Sequence, residues 1–136
     1  MNKIEHIGIA VKDLEVSNKV FSALIGKKHY KTEAVESEHV LTSFFKSGPN
    51  KIELLQATSE NSPIAKFIEK KGEGVHHIAF AVDNIDAEIK RLSNAGFEFI
   101  NKTPKKGADN KLVAFLHPKS ANGVLIELCQ EIAATK

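Results

Sequence analysis

Tryptophan is absent from this 136-residue chain, and cysteine, methionine and tyrosine each occur once. The single cysteine, Cys129, cannot close an internal disulfide, so a cross-linked secreted scaffold is excluded. An excess of charge of one sign is also missing. Lysine and arginine number 19 against 17 aspartates and glutamates, a net charge of +2. That balance gives no reason to expect nucleic acid or a membrane as partner. No stretch approaches the roughly 18 apolar residues of a membrane helix. The first residues show no charged segment leading into a long apolar run, so no signal peptide is expected and the cytoplasm is the simplest location. Phosphate-cradling glycine loops and dinucleotide fingerprints are lacking as well.

The chain does carry an internal repeat. His6-Ile7-Gly8-Ile9-Ala10-Val11 returns 71 residues later as His77-Ile78-Ala79-Phe80-Ala81-Val82. The same shift takes Gln56, at the end of Ile52-Glu53-Leu54-Leu55-Gln56, onto Glu127 in Val124-Leu125-Ile126-Glu127-Leu128. Self-similarity at a fixed offset marks a duplicated structural unit. Here it carries two histidines and two oxygen-bearing side chains, which points to one shared metal site. Two imidazoles, a carboxylate and an amide oxygen suit a borderline divalent ion such as Co²⁺, Ni²⁺, Zn²⁺ or Mn²⁺. With no thiolate in the set, a closed structural zinc site is not expected, and coordination positions stay open for a substrate.

Length and composition fit this reading. A chain of this size suits one domain of roughly 100–200 residues and builds a core without staples. Apolar content of 42% and charged content of 26% are those of a globular protein. Period-two alternation makes Ile4 to Val11 a strand, with Ile7, Ile9 and Val11 on one face and His6, Gly8 and Ala10 on the other. The second copy alternates likewise, so each histidine has only small neighbours on its face. A helix follows each strand. Asp13 caps the first, with Leu14, Val20, Phe21 and Leu24 as its apolar stripe before Gly26. Asp83 or Asn84 caps the second, with Ile85, Ile89 and Leu92 recurring before Gly96. Ser62-Pro63 opens a third helix with Ile64, Phe67 and Ile68 on its apolar side, ended by Lys70-Lys71-Gly72. Further strands are expected at Tyr30 to Val35, Val40 to Phe45, Lys51 to Gln56, Phe97 to Asn101, Leu112 to Leu116 and Val124 to Cys129, with a short loose tail from Ala133 to Lys136. Strand, helix, then about three strands per half argues for an α+β fold.

The remaining reactive residues read as structural. His76 faces away from His77. His29 and His39 sit in polar surroundings and are expected at the surface. His117 precedes Pro118 at a turn, with a structural or substrate-contact role. Cys129 is expected as a small core residue. The pairs Lys27-Lys28, Lys70-Lys71 and Lys105-Lys106 are solvated surface, one of which would meet phosphates only if the substrate were a large anion.

Several segments together resemble a known family. They are His6-Ile7-Gly8-Ile9-Ala10-Val11, Lys51-Ile52-Glu53-Leu54-Leu55, Ser62-Pro63-Ile64-Ala65, Gly74-Val75-His76-His77-Ile78-Ala79-Phe80, Phe115-Leu116-His117-Pro118-Lys119-Ser120 and Gly123-Val124-Leu125-Ile126-Glu127-Leu128. They are similar to the methylmalonyl-CoA epimerases of the vicinal oxygen chelate superfamily, which also holds glyoxalase I and the extradiol dioxygenases. The likeness spans about residues 3–131. It implies paired βαβββ modules, about 3–57 and 74–131, joined by a helical linker at about 62–72, and a homodimer acting on an acyl-CoA. It implies a divalent metal, Co²⁺ foremost with Mn²⁺, Ni²⁺, Zn²⁺ or Mg²⁺ as others of its class, held by His6, Gln56, His77 and Glu127. The activity implied is epimerisation at C2, through an enediolate stabilised by the metal as Lewis acid. Inversion needs proton groups on opposite faces of that carbon. Glu127 would be one. For the other, many relatives carry a glutamate where this chain has Ser37, which leaves Glu36, Glu38 or a water, with Glu38 preferred. A glyoxalase I-type lyase and a non-catalytic small-molecule binder of the same fold are the alternatives.

Overall fold

The alternating pattern around each histidine predicts strands with one helix-covered face, and the computed structural model, which describes residues 1–133, has that arrangement twice. Its contacts divide the chain into residues 6–76 and a second unit made of residues 77 onward with residues 1–5. In the first unit β1 (Lys3–Ala10) leads through α1 (Leu14–Ile25) to β2 (Lys31–Val35), β3 (Val40–Ser47) and β4 (Asn50–Ala57), followed by α2 (Pro63–Lys71). In the second, β5 (Gly74–Ala81) leads through α3 (Ile85–Asn94) to β6 (Lys105–Lys106), β7 (Lys111–Leu116) and β8 (Ile126–Glu131). The first residues of β1 and β5 fall just outside the units that hold the rest of each strand. Asn2 donates its backbone N–H to the Ala81 carbonyl at 2.9 Å, which ties the chain start to the second unit. The expected tail from Ala133 lies, apart from that residue, outside the described residues.

Both units share one sheet pattern. In the first, β1 is parallel to β4, and β4–β3 and β3–β2 are antiparallel, in the order β2-β3-β4-β1. In the second, β5 is parallel to β8, and β8–β7 and β7–β6 are antiparallel, in the order β5-β8-β7-β6. A parallel pair needs a crossover, and the helix supplies it. Side chains alternate across a sheet, so each sheet has a helix face and an opposite face. On the helix face of the first unit, Val11, Phe45 and Leu54 pack with Leu14, Phe21 and Ile25 of α1. On that of the second, Ala114, Leu116 and Leu128 pack with Ile85, Ile89 and Leu92 of α3.

The caps form where the side chains predict them. Asp13 accepts from the Val16 N–H at 3.0 Å, Asn84 from Ala87 at 3.0 Å and Ser62 from Ile64 at 3.1 Å, with Pro63 as the first residue of α2. Gly26 ends α1 in the left-handed region at φ 89°, where an L side chain is strained.

Two expectations are corrected. Val20 and Leu24 do not belong to the buried stripe of α1; they are 57% and 74% exposed. At 100° per residue the line through Leu14 and Phe21 continues to Ile25, and Val20 and Leu24 lie about a quarter turn away. Phe97 to Asn101 is not a strand either. Phe97 and Phe99 pack on the α3 cluster, which creates the alternation seen in sequence, but only Phe99 makes a bridge, to Leu116. The third strand of that unit is the short β6 instead. Among the described residues no helix is long and apolar enough to cross a membrane.

Truncating a core residue should therefore cost far more than truncating the exposed stripe. Ile85→Ala is expected to lose about 2–5 kcal/mol and Leu24→Ala to stay within about 0.5 kcal/mol, both read by urea unfolding. Equal losses would mean that the faces of α1 and α3 are wrongly assigned.

Candidate active site

His6 lies on the face of its sheet opposite α1, where its neighbours along the strand are Gly8 and Ala10 and where Ala10 and Leu55 pack with Ile64 of α2. Gly8 sits beside Glu53 in the parallel β1–β4 pair. His6 and Glu53 are both buried, and the His6 Nδ1 lies 3.1 Å from a Glu53 carboxylate oxygen. The second unit repeats this. Ala79 sits beside Glu127 in the parallel β5–β8 pair, and the His77 Nε2 lies 3.3 Å from Glu127 Oε1, with both residues buried. Phe44 stands across from Glu53, and Phe115 across from Glu127. The Phe115 ring meets the His77 ring edge-on at 6.0 Å.

Glu53, which the sequence reading passed over, is thus the counterpart of Glu127. Glu53 and Gln56 are three residues apart on one strand and so face opposite ways. Gln56 turns to the helix face, where its side-chain carbonyl accepts the Leu14 N–H at 2.6 Å at the start of α1. Gln130 does the same for Ile85 at the start of α3, at 2.8 Å. The equivalence is therefore Glu53 with Glu127 and Gln56 with Gln130. The signal was available, since Glu53-Leu54 and Glu127-Leu128 match at a shift of 74. Aligning on the first strands alone hides it.

The other candidates take supporting places. Glu36 and Glu38 lie in a 3₁₀ turn between β2 and β3, Glu36 exposed and Glu38 half-buried. His39 is exposed and closes that turn at φ 53°. His76 packs edge-on against Phe67 at 5.0 Å, and burial, helped by the nearby Lys71 charge, pushes its pKa down to about 4, so it stays neutral. His29 is not the surface residue expected; its half-buried ring lies 5.8 Å from Phe45. His117 is structural: its Nδ1 accepts the Lys119 N–H at 3.2 Å and caps the turn Pro118–Ala121. The Ser120 hydroxyl accepts the Glu98 N–H at 3.0 Å, and Lys119 lies 2.9 Å from the Glu98 carboxylate. That hydrogen bond from Lys119 holds the Glu98 carboxyl below its usual range. Cys129 is fully buried with Ala79 and Val113, as expected of a core thiol.

The chain matches the model of the Glyoxalase/Bleomycin resistance protein/Dioxygenase superfamily over residues 5–115. It is 37% identical to human mitochondrial methylmalonyl-CoA epimerase over 131 residues, covering 96% of this chain and 74% of that one. It is 41% identical to the ethylmalonyl-CoA/methylmalonyl-CoA epimerase of Cereibacter sphaeroides, covering 96% of this chain and 98% of the other. A solved methylmalonyl-CoA epimerase in complex with methylmalonyl-CoA and NH4+ superposes with a TM-score of 0.93 at 34% identity, over 98% of this chain and 96% of that one. The chain belongs to the glyoxalase/bleomycin resistance protein/dioxygenase superfamily and, within it, to the methylmalonyl-CoA epimerase family.

Proposed function

We propose that this protein interconverts the two C2 epimers of methylmalonyl-CoA, using a divalent metal ion held by His6, Glu53, His77 and Glu127. The observation that carries the reading is the buried histidine–carboxylate pair, made twice, each histidine followed along its strand face by small residues, Gly8 and Ala10 in one copy and Ala79 and Ala81 in the other. The donors fit a borderline divalent ion: His6, His77 and Glu127 are all buried and all of ligand type. Two ligand atoms about 2.0–2.2 Å from one ion and at right angles lie about 3 Å apart, close to the 3.1 and 3.3 Å within the pairs. Glu53 replaces Gln56 in this set, because the Gln56 carbonyl is committed to Leu14. When bound, such an ion supplies Lewis-acid stabilisation to the negative charge that develops on the substrate's oxygens.

The chain's own residues move the proton. Inversion at C2 needs one group to remove a proton and another to return one from the opposite side. Glu127 is the first. Glu53, which stands to His6 as Glu127 stands to His77, is the second. Glu38, in its half-buried turn, is the alternative for that role. Burial of both pairs excludes the water that would otherwise compete for the C2 position. The substrate follows from the likeness to epimerases named for methylmalonyl-CoA. Two complete pairs favour catalysis over a purely binding role. Co²⁺ as the ion, a homodimer and a cytoplasmic location belong to the same reading.

Three outcomes test it. In D₂O the Co²⁺-loaded protein should erase the C2 proton signal of methylmalonyl-CoA at least ~100-fold faster than buffer with Co²⁺, and EDTA should abolish the effect. Exchange no faster than the control would remove the epimerase reading. Glu53→Ala and His77→Ala should lose metal on dialysis, read by elemental analysis. Gln56→Ala should keep its metal and lose only about 1 kcal/mol of stability at the α1 start; metal loss in this variant alone would restore Gln56 as the ligand. Glu127→Gln and Glu53→Gln should each lower kcat by ~10²-fold or more while losing less metal than the alanine variants. If Glu38→Ala instead causes that fall and Glu53→Gln does not, the second proton group is Glu38.

A further inference from the structure

The contact between α1 and β3 holds polar atoms that its counterpart in the second unit lacks. The start of α1 is fixed to the rung of the sheet that carries Gln56 and Leu41, because Gln56 accepts the Leu14 N–H and Leu41 stands across from Gln56. Two turns on, Phe21 of α1 meets Phe45 of β3 with ring centres 6.4 Å apart. The seven helical steps from Leu14 to Phe21 cover about 10 Å, and the four strand steps from Leu41 to Phe45 about 13 Å. The helix therefore runs along β3 in the same direction. Between Leu41 and Phe45 only Ser43 points to α1, since strand side chains alternate. Between Leu14 and Phe21 the inner positions, three and four residues after Leu14, are Ser17 and Asn18. Ser43 thus faces the turn that carries them. Ser43 is fully buried, Ser17 is buried and Asn18 is half-buried. Four buried side-chain atoms have no hydrogen-bond partner among the described residues, and two of them are Asn18 Oδ1 and Ser43 Oγ. They do not bond each other either. Buried polar groups are nearly always hydrogen-bonded, because an unmet one costs stability.

The second unit serves as an internal comparison. Ile85 takes the place of Leu14, since each gives its N–H to a strand glutamine. Phe115 takes that of Phe44, since each stands across from a carboxylate of the site. Both correspondences are a shift of 71, which carries Asn18 onto Ile89 and Ser43 onto Ala114. Ile89 and Ala114 are buried together in one apolar cluster. The fold therefore closes this contact with hydrocarbon in one copy, and the polar atoms in the other copy are not required by it. A local rule broken in one copy of a duplicated unit marks a place with a further occupant.

From this juxtaposition we propose that Asn18 and Ser43 bind one internal water molecule between α1 and β3. The chemistry of the contact selects a small neutral ligand. Neither residue carries a charge, so a bare ion would go uncompensated. The Asn18 carbonyl needs a donor, and the Ser43 hydroxyl both donates and accepts. Water does both, and either orientation of the Asn18 amide serves it. Internal waters make two to four hydrogen bonds, and Ser17 on the same turn supplies a further polar group. Phe44, next to Ser43 along β3, stands across from Glu53 on the opposite face. The water therefore ties α1 to the back of a strand that borders the His6–Glu53 pair. This inference is independent of the substrate.

Oxygen-17 magnetic relaxation dispersion tests it, because it counts waters that stay inside a protein for longer than the molecule takes to tumble. Wild type should hold one more such water than the double variant Asn18→Leu with Ser43→Ala, which copies the apolar contact of the second unit. Equal counts would overturn the proposal. Urea unfolding distinguishes a shared water from two independent polar groups. Each single variant should lower the folding equilibrium constant by ~5-fold. The double variant should recover most of that loss, because no polar atom is then left in the contact. Single losses that simply add in the double variant would contradict a shared water. If the double variant does not fold, a high-resolution crystal structure of wild type decides the matter. A water within hydrogen-bonding distance of both oxygens supports the proposal. A direct Asn18–Ser43 hydrogen bond, or a Ser43 hydroxyl bonded only to a main-chain carbonyl, overturns it.

Discussion

A buried carboxylate and a buried imidazole cannot be left unpartnered, because an isolated charge in the interior is costly. The chain meets this constraint twice in one way, with His6 on Glu53 and His77 on Glu127. Much of the architecture serves those two contacts. Parallel pairing of β1 with β4 and of β5 with β8 brings each carboxylate beside the strand that carries its histidine. Gly8 and Ala79, directly beside those carboxylates, are too small to cover them. Parallel neighbours need a crossover, so α1 and α3 supply one in each unit, and these two helices cover the face away from the pair.

The second duplicated contact works on that far face. Gln56 and Gln130 accept the first N–H groups of α1 and α3. Those N–H groups have no partner within the helix, so a strand side chain satisfies them and fixes where the helix begins. One short segment therefore does two jobs. Its glutamate points to the histidine, and three residues later its glutamine points to the helix. Exchanging their roles would require a one-residue slip of register, which would turn every side chain of the strand to the wrong face.

Much of this was legible in the sequence. The caps at Asp13, Asn84 and Ser62 follow from side-chain chemistry that acts within two or three residues. The faces of β1 and β5 follow from period two. What could not be read depended on pairing between distant segments. The shift of 71 holds for the histidine strands, but the last strands match at 74, because the second half has three more residues between them. The shift of 71 therefore set Gln56 against Glu127, where register sets Glu53. Phe97 to Asn101 failed for a related reason. Its alternation reflects packing of Phe97 and Phe99 on α3, and alternation alone does not supply a strand partner. Val20 and Leu24 show the limit of apolarity as a guide to a helix's inner face, since α1 has apolar residues on both sides.

The most direct measurement of the central claim is a crystal structure of the Co²⁺-loaded protein with anomalous diffraction collected at the cobalt edge. The account predicts one strong peak bonded to His6, Glu53, His77 and Glu127, with the Gln56 carbonyl still on the Leu14 N–H. A peak bonded to Gln56, with Glu53 left hydrogen-bonded to His6, would contradict it, as would cobalt at neither pair.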